Sequence, residues 1–162
     1  MRIHPGWVAT ALLVFVVLGC NLSKNSNNSN NSNRNGNENK ATPQPTRRAD
    51  AEVFVNRIFM AKDDDGKPGE ETTSFAPGDR TVHCVIELNK AKKGTAVRFV
   101  WKAVDVEGSK NEEIKTIDYT TNSFENKVRG HLTLPRDWPT GKYRVEVYIN
   151  DSLDKTIDYT IE

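Results

Sequence analysis

Acid–base and nucleophilic mechanisms need converging groups: a histidine beside a serine or cysteine, with a carboxylate to orient it. In this 162-residue chain the histidines are His4, His83 and His131. His83 and Cys84 are neighbours in a run that reads as a strand, so their side chains point to opposite faces and form no dyad. No phosphate-cradling glycine loop, nucleophile elbow or metalloprotease motif occurs. The sequence points away from an enzyme, and no cofactor is expected. Two groupings could still hold a cation. Asp63-Asp64-Asp65-Gly66, with Glu70 and Glu71 downstream, is dense in hard oxygen ligands of the kind Ca²⁺ takes. Its spacing lacks the alternation and the sixth-position glycine of an EF-hand, and it reads equally as an acidic turn. The other grouping is His83, His131 and Glu87, and its worth depends on which strands carry them.

The elements that must position these residues are short and β-rich. Tyr143, Val145, Val147 and Ile149 alternate with Arg144, Glu146, Tyr148 and Asn150, the period of a strand with one buried face. Trp138-Pro139-Thr140-Gly141 before it is a turn, with proline fixing one φ and glycine permitting a positive one. Upstream, Val53–Ala61 is a mixed strand suited to an edge or a switch between sheets. Residues Lys62 to Arg80 read as a long polar loop broken by Gly66-Lys67-Pro68-Gly69 and Pro77-Gly78-Asp79. Thr81–Asn89 turns Val82, Cys84, Ile86 and Leu88 inward, and Ala96–Val106 does the same with Val97, Phe99, Trp101 and Ala103. Strands over Glu113–Thr121, Val128–Leu134, Tyr143–Ile149 and Leu153–Ile161 complete the set, the last two joined by a tight Asp151-Ser152 hairpin. Seven short strands with no helical period predict an antiparallel all-β sandwich from Ala51 to Glu162. The hexapeptide Lys-Thr-Ile-Asp-Tyr-Thr occurs at 115–120 and 155–160. Two copies make no solenoid, and both are expected to be outer strands.

Residues 1–19 are expected to be a signal peptide. Arg2 supplies the positive start, and the apolar run from Trp7 to Leu18 is short of the roughly 20 residues needed to span a bilayer. Val17-Leu18-Gly19-Cys20 resembles the lipobox of bacterial lipoproteins, which implies lipidation of Cys20 and anchorage without a transmembrane helix. Asn21 to Lys40 is dominated by asparagine interleaved with serine, and Ala41 to Arg48 adds two prolines. So little apolar surface cannot offset the entropy of ordering, so residues 20–50 are expected to form a flexible tether. About 30 residues of such chain reach roughly 30 Å.

A tyrosine opening a strand after a tight corner, two residues before an inward position, fits the corner of an immunoglobulin-like sandwich. Antibody-type domains pair a cysteine on the second strand with another two residues after that tyrosine, over a tryptophan on the third strand. Cys84 and Trp101 fill two of these roles, and Val145 stands in the third. The expected core is thus Trp101, Cys84, Tyr143 and Val145, held by packing without a disulfide. Phe75-x-Pro77-Gly78-Asp79, Gly94-Thr95 leading to Trp101, and Leu134-Pro135 through Trp138-Pro139-x-Gly141-x-Tyr143-x-Val145-x-Val147 resemble a group of bacterial immunoglobulin-like lipoprotein domains. That resemblance covers about two thirds of the chain; its motifs are structural corners, and it brings no catalytic residues. In such a sandwich the second and fifth strands are antiparallel neighbours, which sets His83 and His131 outward on one sheet, about 4.5–8 Å apart. With Glu87 farther along the same face, Zn²⁺ or Cu²⁺ could find two imidazoles and a carboxylate, although a flat exposed face would give them nothing to orient the rings.

Charge excludes little. The chain carries +1, and without Arg2 it has 22 basic and 22 acidic residues. The cluster Lys90, Lys92 and Lys93, with Arg129 and Arg136, falls short of a nucleic-acid footprint. The sequence therefore predicts an envelope protein, lipid-anchored to a bacterial membrane, carrying a noncatalytic module that docks a protein or a glycan through loops or an edge strand. Binding of a small ligand or metal is the second reading.

Overall fold

The computed structural model describes residues 44–162; the expected signal peptide, Cys20 and most of the tether lie outside the described residues. The described residues contain no helix and nine strands: β1 (Val55–Asp64), β2 (Lys67–Glu71), β3 (Ser74–Phe75), β4 (Thr81–Leu88), β5 (Ala96–Val106), β6 (Ser109–Thr120), β7 (Lys127–Thr133), β8 (Gly141–Ile149) and β9 (Ser152–Ile161). They form a four-stranded sheet ordered β2-β1-β4-β7 and a five-stranded sheet ordered β3-β9-β8-β5-β6. Pairing is antiparallel throughout except between β3 and β9. Stripped of the two short strands, the layers are first-second-fifth and seventh-sixth-third-fourth, an immunoglobulin-like sandwich in which the fourth strand joins the sheet of the third and sixth.

The two extra strands come from the segment that reads as loop. Asp65 and Gly66 both have positive φ, 52° and 76°. Those angles suit a two-residue primed turn, for which Asp-Gly is a favoured pair, so β1 runs on to Asp64 and folds back as β2. The chain then changes layers, and β3 lies parallel to the end of β9. A second such turn joins β8 to β9 and is centred on Asn150-Asp151, φ 48° and 65°, one residue earlier than the spacing suggests. β6 likewise begins at Ser109, four residues before the expected Glu113.

The core lies between the layers. Val82, Cys84 and Ile86 from β4 meet Phe99, Trp101, Val145 and Val147 from β5 and β8, all fully buried. Aromatic rings close one end: Tyr143 stacks on Tyr159 at 5.2 Å, and Trp138 meets Tyr143 edge-on at 5.3 Å. Both sheets and this core are contained in residues 44–162.

Residues before Ala51, where the composition changes, are already tied to the sandwich. The Thr46 N–H donates to the Leu153 carbonyl, and the Arg47 guanidinium pairs with Asp154, which is 3% exposed and also accepts the Val55 N–H at 2.7 Å. Arg47 further lies over the Phe54 ring at 4.4 Å.

Candidate functional site

The register of β4 and β7 sets His83 directly opposite His131, with ring centroids 5.6 Å apart. Both project from the outer face of the four-stranded sheet, but they do not share an environment. His131 is exposed, whereas His83 is 1% exposed, against the expectation that both meet solvent. β2 also approaches β4, so the β1–β2 hairpin curls over this part of the face. From that hairpin Asp63 reaches His83, Oδ1 to Nε2 at 2.7 Å, while His83 Nδ1 has no hydrogen-bond partner among the described residues. A carboxylate partner assigns the ring proton to Nε2. This contact, with a weaker one from the Gly66 N–H, holds the Asp63 carboxyl below the usual carboxylate range.

Glu87 sits at the other end of the same face, bound to Lys127 at 3.1 Å with Arg57 at 3.7 Å, and does not join the histidines. Asp65 stands in the tight turn, exposed, and Glu71 takes a bidentate contact from Arg57. Of the acidic run, Asp63 is thus engaged by a histidine, Asp65 by a turn and Glu71 by an arginine. Among the described residues no group of three or more histidine, cysteine, aspartate or glutamate side chains is placed to hold a metal ion.

Trp101, Cys84, Tyr143 and Val145 all lie in the core. The Tyr143 hydroxyl donates to the Pro139 carbonyl at 2.7 Å, four residues back, which is the geometry of a tyrosine corner. Burial alone pushes the Cys84 thiol up, so it stays protonated and inert. Cys20 lies outside the described residues.

A separate concavity involves neither histidine nor Asp63, though Glu71 and Lys127 line it. A groove of about 790 Å³ runs across the outer face of the four-stranded sheet to the seam where edge strands β6 and β7 part company. Phe59, Pro68, Val85 and Val128 make it apolar, and Tyr119 stands on the β6 side. Its rim is charged by Lys67, Arg129, Lys127 and Glu125. The chain before Ala51 builds a smaller cavity of about 190 Å³ against Ile149 and Ser152. The groove is hard to find in a sequence because its walls come from five strands, β1, β2, β4, β6 and β7. Tyr119 did carry a signal, as the aromatic of the repeat Lys-Thr-Ile-Asp-Tyr-Thr.

Beside the groove, the β6–β7 connection Asn122-Ser123-Phe124-Glu125-Asn126 turns Phe124 out, 95% exposed and at φ 67°. Glu125 fixes this turn by accepting the Asn122 N–H at 2.9 Å and the Tyr119 hydroxyl at 2.7 Å. The same end of the sandwich carries the β4–β5 and β8–β9 connections, stitched together by Gly94 N–H to Thr121 O, Leu88 N–H to Asn126 O and Asn150 N–H to Ala96 O. Glu52 gathers Lys90 and Lys92 there, and its carboxyl is lowered to about 2 by those hydrogen bonds and charges.

No protein-family model matches this chain, and no curated protein does. Among solved structures it is similar to an immunoglobulin-like protein from Pseudomonas aeruginosa, with 13% identity over 70% of this chain and 99% of that one, at a TM-score of 0.49. It is also similar to part of the alkylpurine DNA glycosylase AlkC of Pseudomonas fluorescens, bound to DNA containing an abasic site analogue. That match has 13% identity over 69% of this chain and 31% of the glycosylase, at a TM-score of 0.42. Likenesses this distant carry nothing about activity; the strand order given above carries the fold.

Proposed function

We propose that this chain is a lipid-anchored protein of a bacterial envelope whose immunoglobulin-like head is noncatalytic and docks another envelope protein in the groove between β6 and β7. The carrying observation is the groove itself: an apolar floor, one aromatic wall and a charged rim, beside an edge strand of twelve residues paired on one side only. An extended segment can add to such an edge through its main chain while its side chains fill the groove. A convergent catalytic set is not what the face offers, since its one buried histidine is held by a carboxylate with neither serine nor thiol at hand. The lipidation of Cys20 rests on Val17-Leu18-Gly19-Cys20 and the apolar run before it.

Reversing two exposed rim charges together, Lys67→Glu and Arg129→Glu, leaves the core untouched and should leave the melting temperature within a degree or two. Purified from its own envelope under mild detergent, the parent chain should bring down a partner protein that the double variant does not. Recovery of the same partner by both chains contradicts docking in the groove. Glycan or bound metal in place of a protein supports the alternative classes of ligand.

A further inference from the structure

We propose that the Phe124 loop is a membrane-contacting element, and that the head rests this end against the anionic surface of the bilayer to which it is anchored. This rests on the lipid-anchor reading above. Phe124 is 95% exposed and holds a left-handed φ of 67°, a conformation that bulky side chains rarely adopt. The strain is maintained from outside the residue: Glu125 binds both the Asn122 N–H and the Tyr119 hydroxyl, and Asn126 O accepts the Leu88 N–H. A turn clamped at three points keeps an aromatic ring in water, which asks for a partner at that spot.

The direction of the anchor supplies the partner. Arg47 and Thr46 fasten the incoming chain to Asp154 and Leu153, so it joins the head at the end that bears Phe124. Lys93 on the adjoining β4–β5 connection and Arg48 beside the entry point are exposed, and neither has an acidic partner among the described residues. The same end also carries Glu52, Glu125 and Asp151, so the exposed ring supplies the apolar contact and the two unpaired cations supply the charge that suits an interface of acyl chains and anionic headgroups. One ring and a few cations bind a bilayer only weakly. The tether expected from the sequence, with a reach of roughly 30 Å, would hold the loop at high effective concentration, and there a weak contact suffices.

The test uses the full lipidated chain in vesicles of phosphatidylethanolamine and phosphatidylglycerol. A nitroxide is placed at Ser123→Cys, or at Glu107→Cys in the β5–β6 turn at the opposite end; Cys84 is fully buried and stays unlabelled. The label at 123 should be several-fold less accessible to a water-soluble relaxation agent than the label at 107, and Phe124→Ser should abolish the difference. Equal accessibility at the two positions, or protection that survives Phe124→Ser, overturns the inference. Sedimentation of the same samples separates the two readings. A chain that pellets with the vesicles while position 123 stays wet refutes the loop contact alone; a chain left in the supernatant refutes the anchor, and the contact with it.

Discussion

Two tyrosines, stacked on each other, show how differently one hydroxyl can count. The Tyr143 hydroxyl has the Pro139 carbonyl at 2.7 Å, whereas that of Tyr159 is buried with no hydrogen-bond partner among the described residues. Burial drives the Tyr159 phenol far above its ordinary pKa and that of Tyr143 upward as well. Tyr143→Phe should cost about 1 kcal/mol in chemical denaturation, the net worth of one satisfied hydrogen bond. Tyr159→Phe should be neutral or stabilising, since it removes a buried polar atom and keeps the ring. Equal losses in the two variants would show that the corner hydrogen bond has no special role. At this scale much was legible: Trp101, Cys84, Tyr143 and Val145 could be read as core from alternation and corner spacing, and all four are buried. The environment of His83 was not legible. Period-two alternation says which face a residue is on and nothing about what covers that face, and here a hairpin hidden in a polar stretch does so.

Among the elements, the least legible was that hairpin. Asp65-Gly66 is a strong primed-turn pair, but the segment after it, Lys67-Pro68-Gly69-Glu70-Glu71, has no apolar alternation and pairs through its backbone. The repeat Lys-Thr-Ile-Asp-Tyr-Thr makes the same point from the other side. Both copies are strands of one sheet, yet Tyr159 is in the core and Tyr119 is half-buried on an open edge. Identical local sequence cannot tell a strand covered by β3 from one facing the groove. The Arg47 latch is an element-scale feature with a measurable cost. Arg47→Ala leaves the buried Asp154 carboxylate with only the Val55 N–H, and should destabilise the head by about 1–3 kcal/mol. Arg47 is itself 33% exposed, which places the loss toward the lower part of that range. An unchanged denaturation midpoint would show that the fold begins after it.

Taken whole, the head is a sandwich with two unlike ends, aromatic-packed at one and charged at the other. The charged end makes the molecule respond to acid. Glu52 is lowered from 4.5 to about 2 by Lys90 and Lys92, so its contribution to stability is present above pH 4.5 and disappears as pH falls toward 2. Asp63, beside the β1–β2 turn at the other end, is lowered mainly by His83, and its contribution is lost in the same direction below pH 3.8. Glu52→Gln should therefore melt slightly below the parent at pH 7, and the two curves should converge near pH 2. Added salt should narrow the gap at neutral pH, because these charges are exposed. A gap that persists at pH 2 would assign the effect to something other than the lysine contacts.

The account stands or falls on whether the groove meets another molecule in the envelope, and a photoreactive side chain at position 129 tests that in place. Arg129 lies on the rim, and Glu107, in the turn at the far end, is the control position. Irradiated cells should give one dominant protein adduct from position 129 and none of that size from position 107. Adducts of the same size from both positions, or none from position 129 under conditions where the chain is folded and anchored, would contradict a docking groove between β6 and β7.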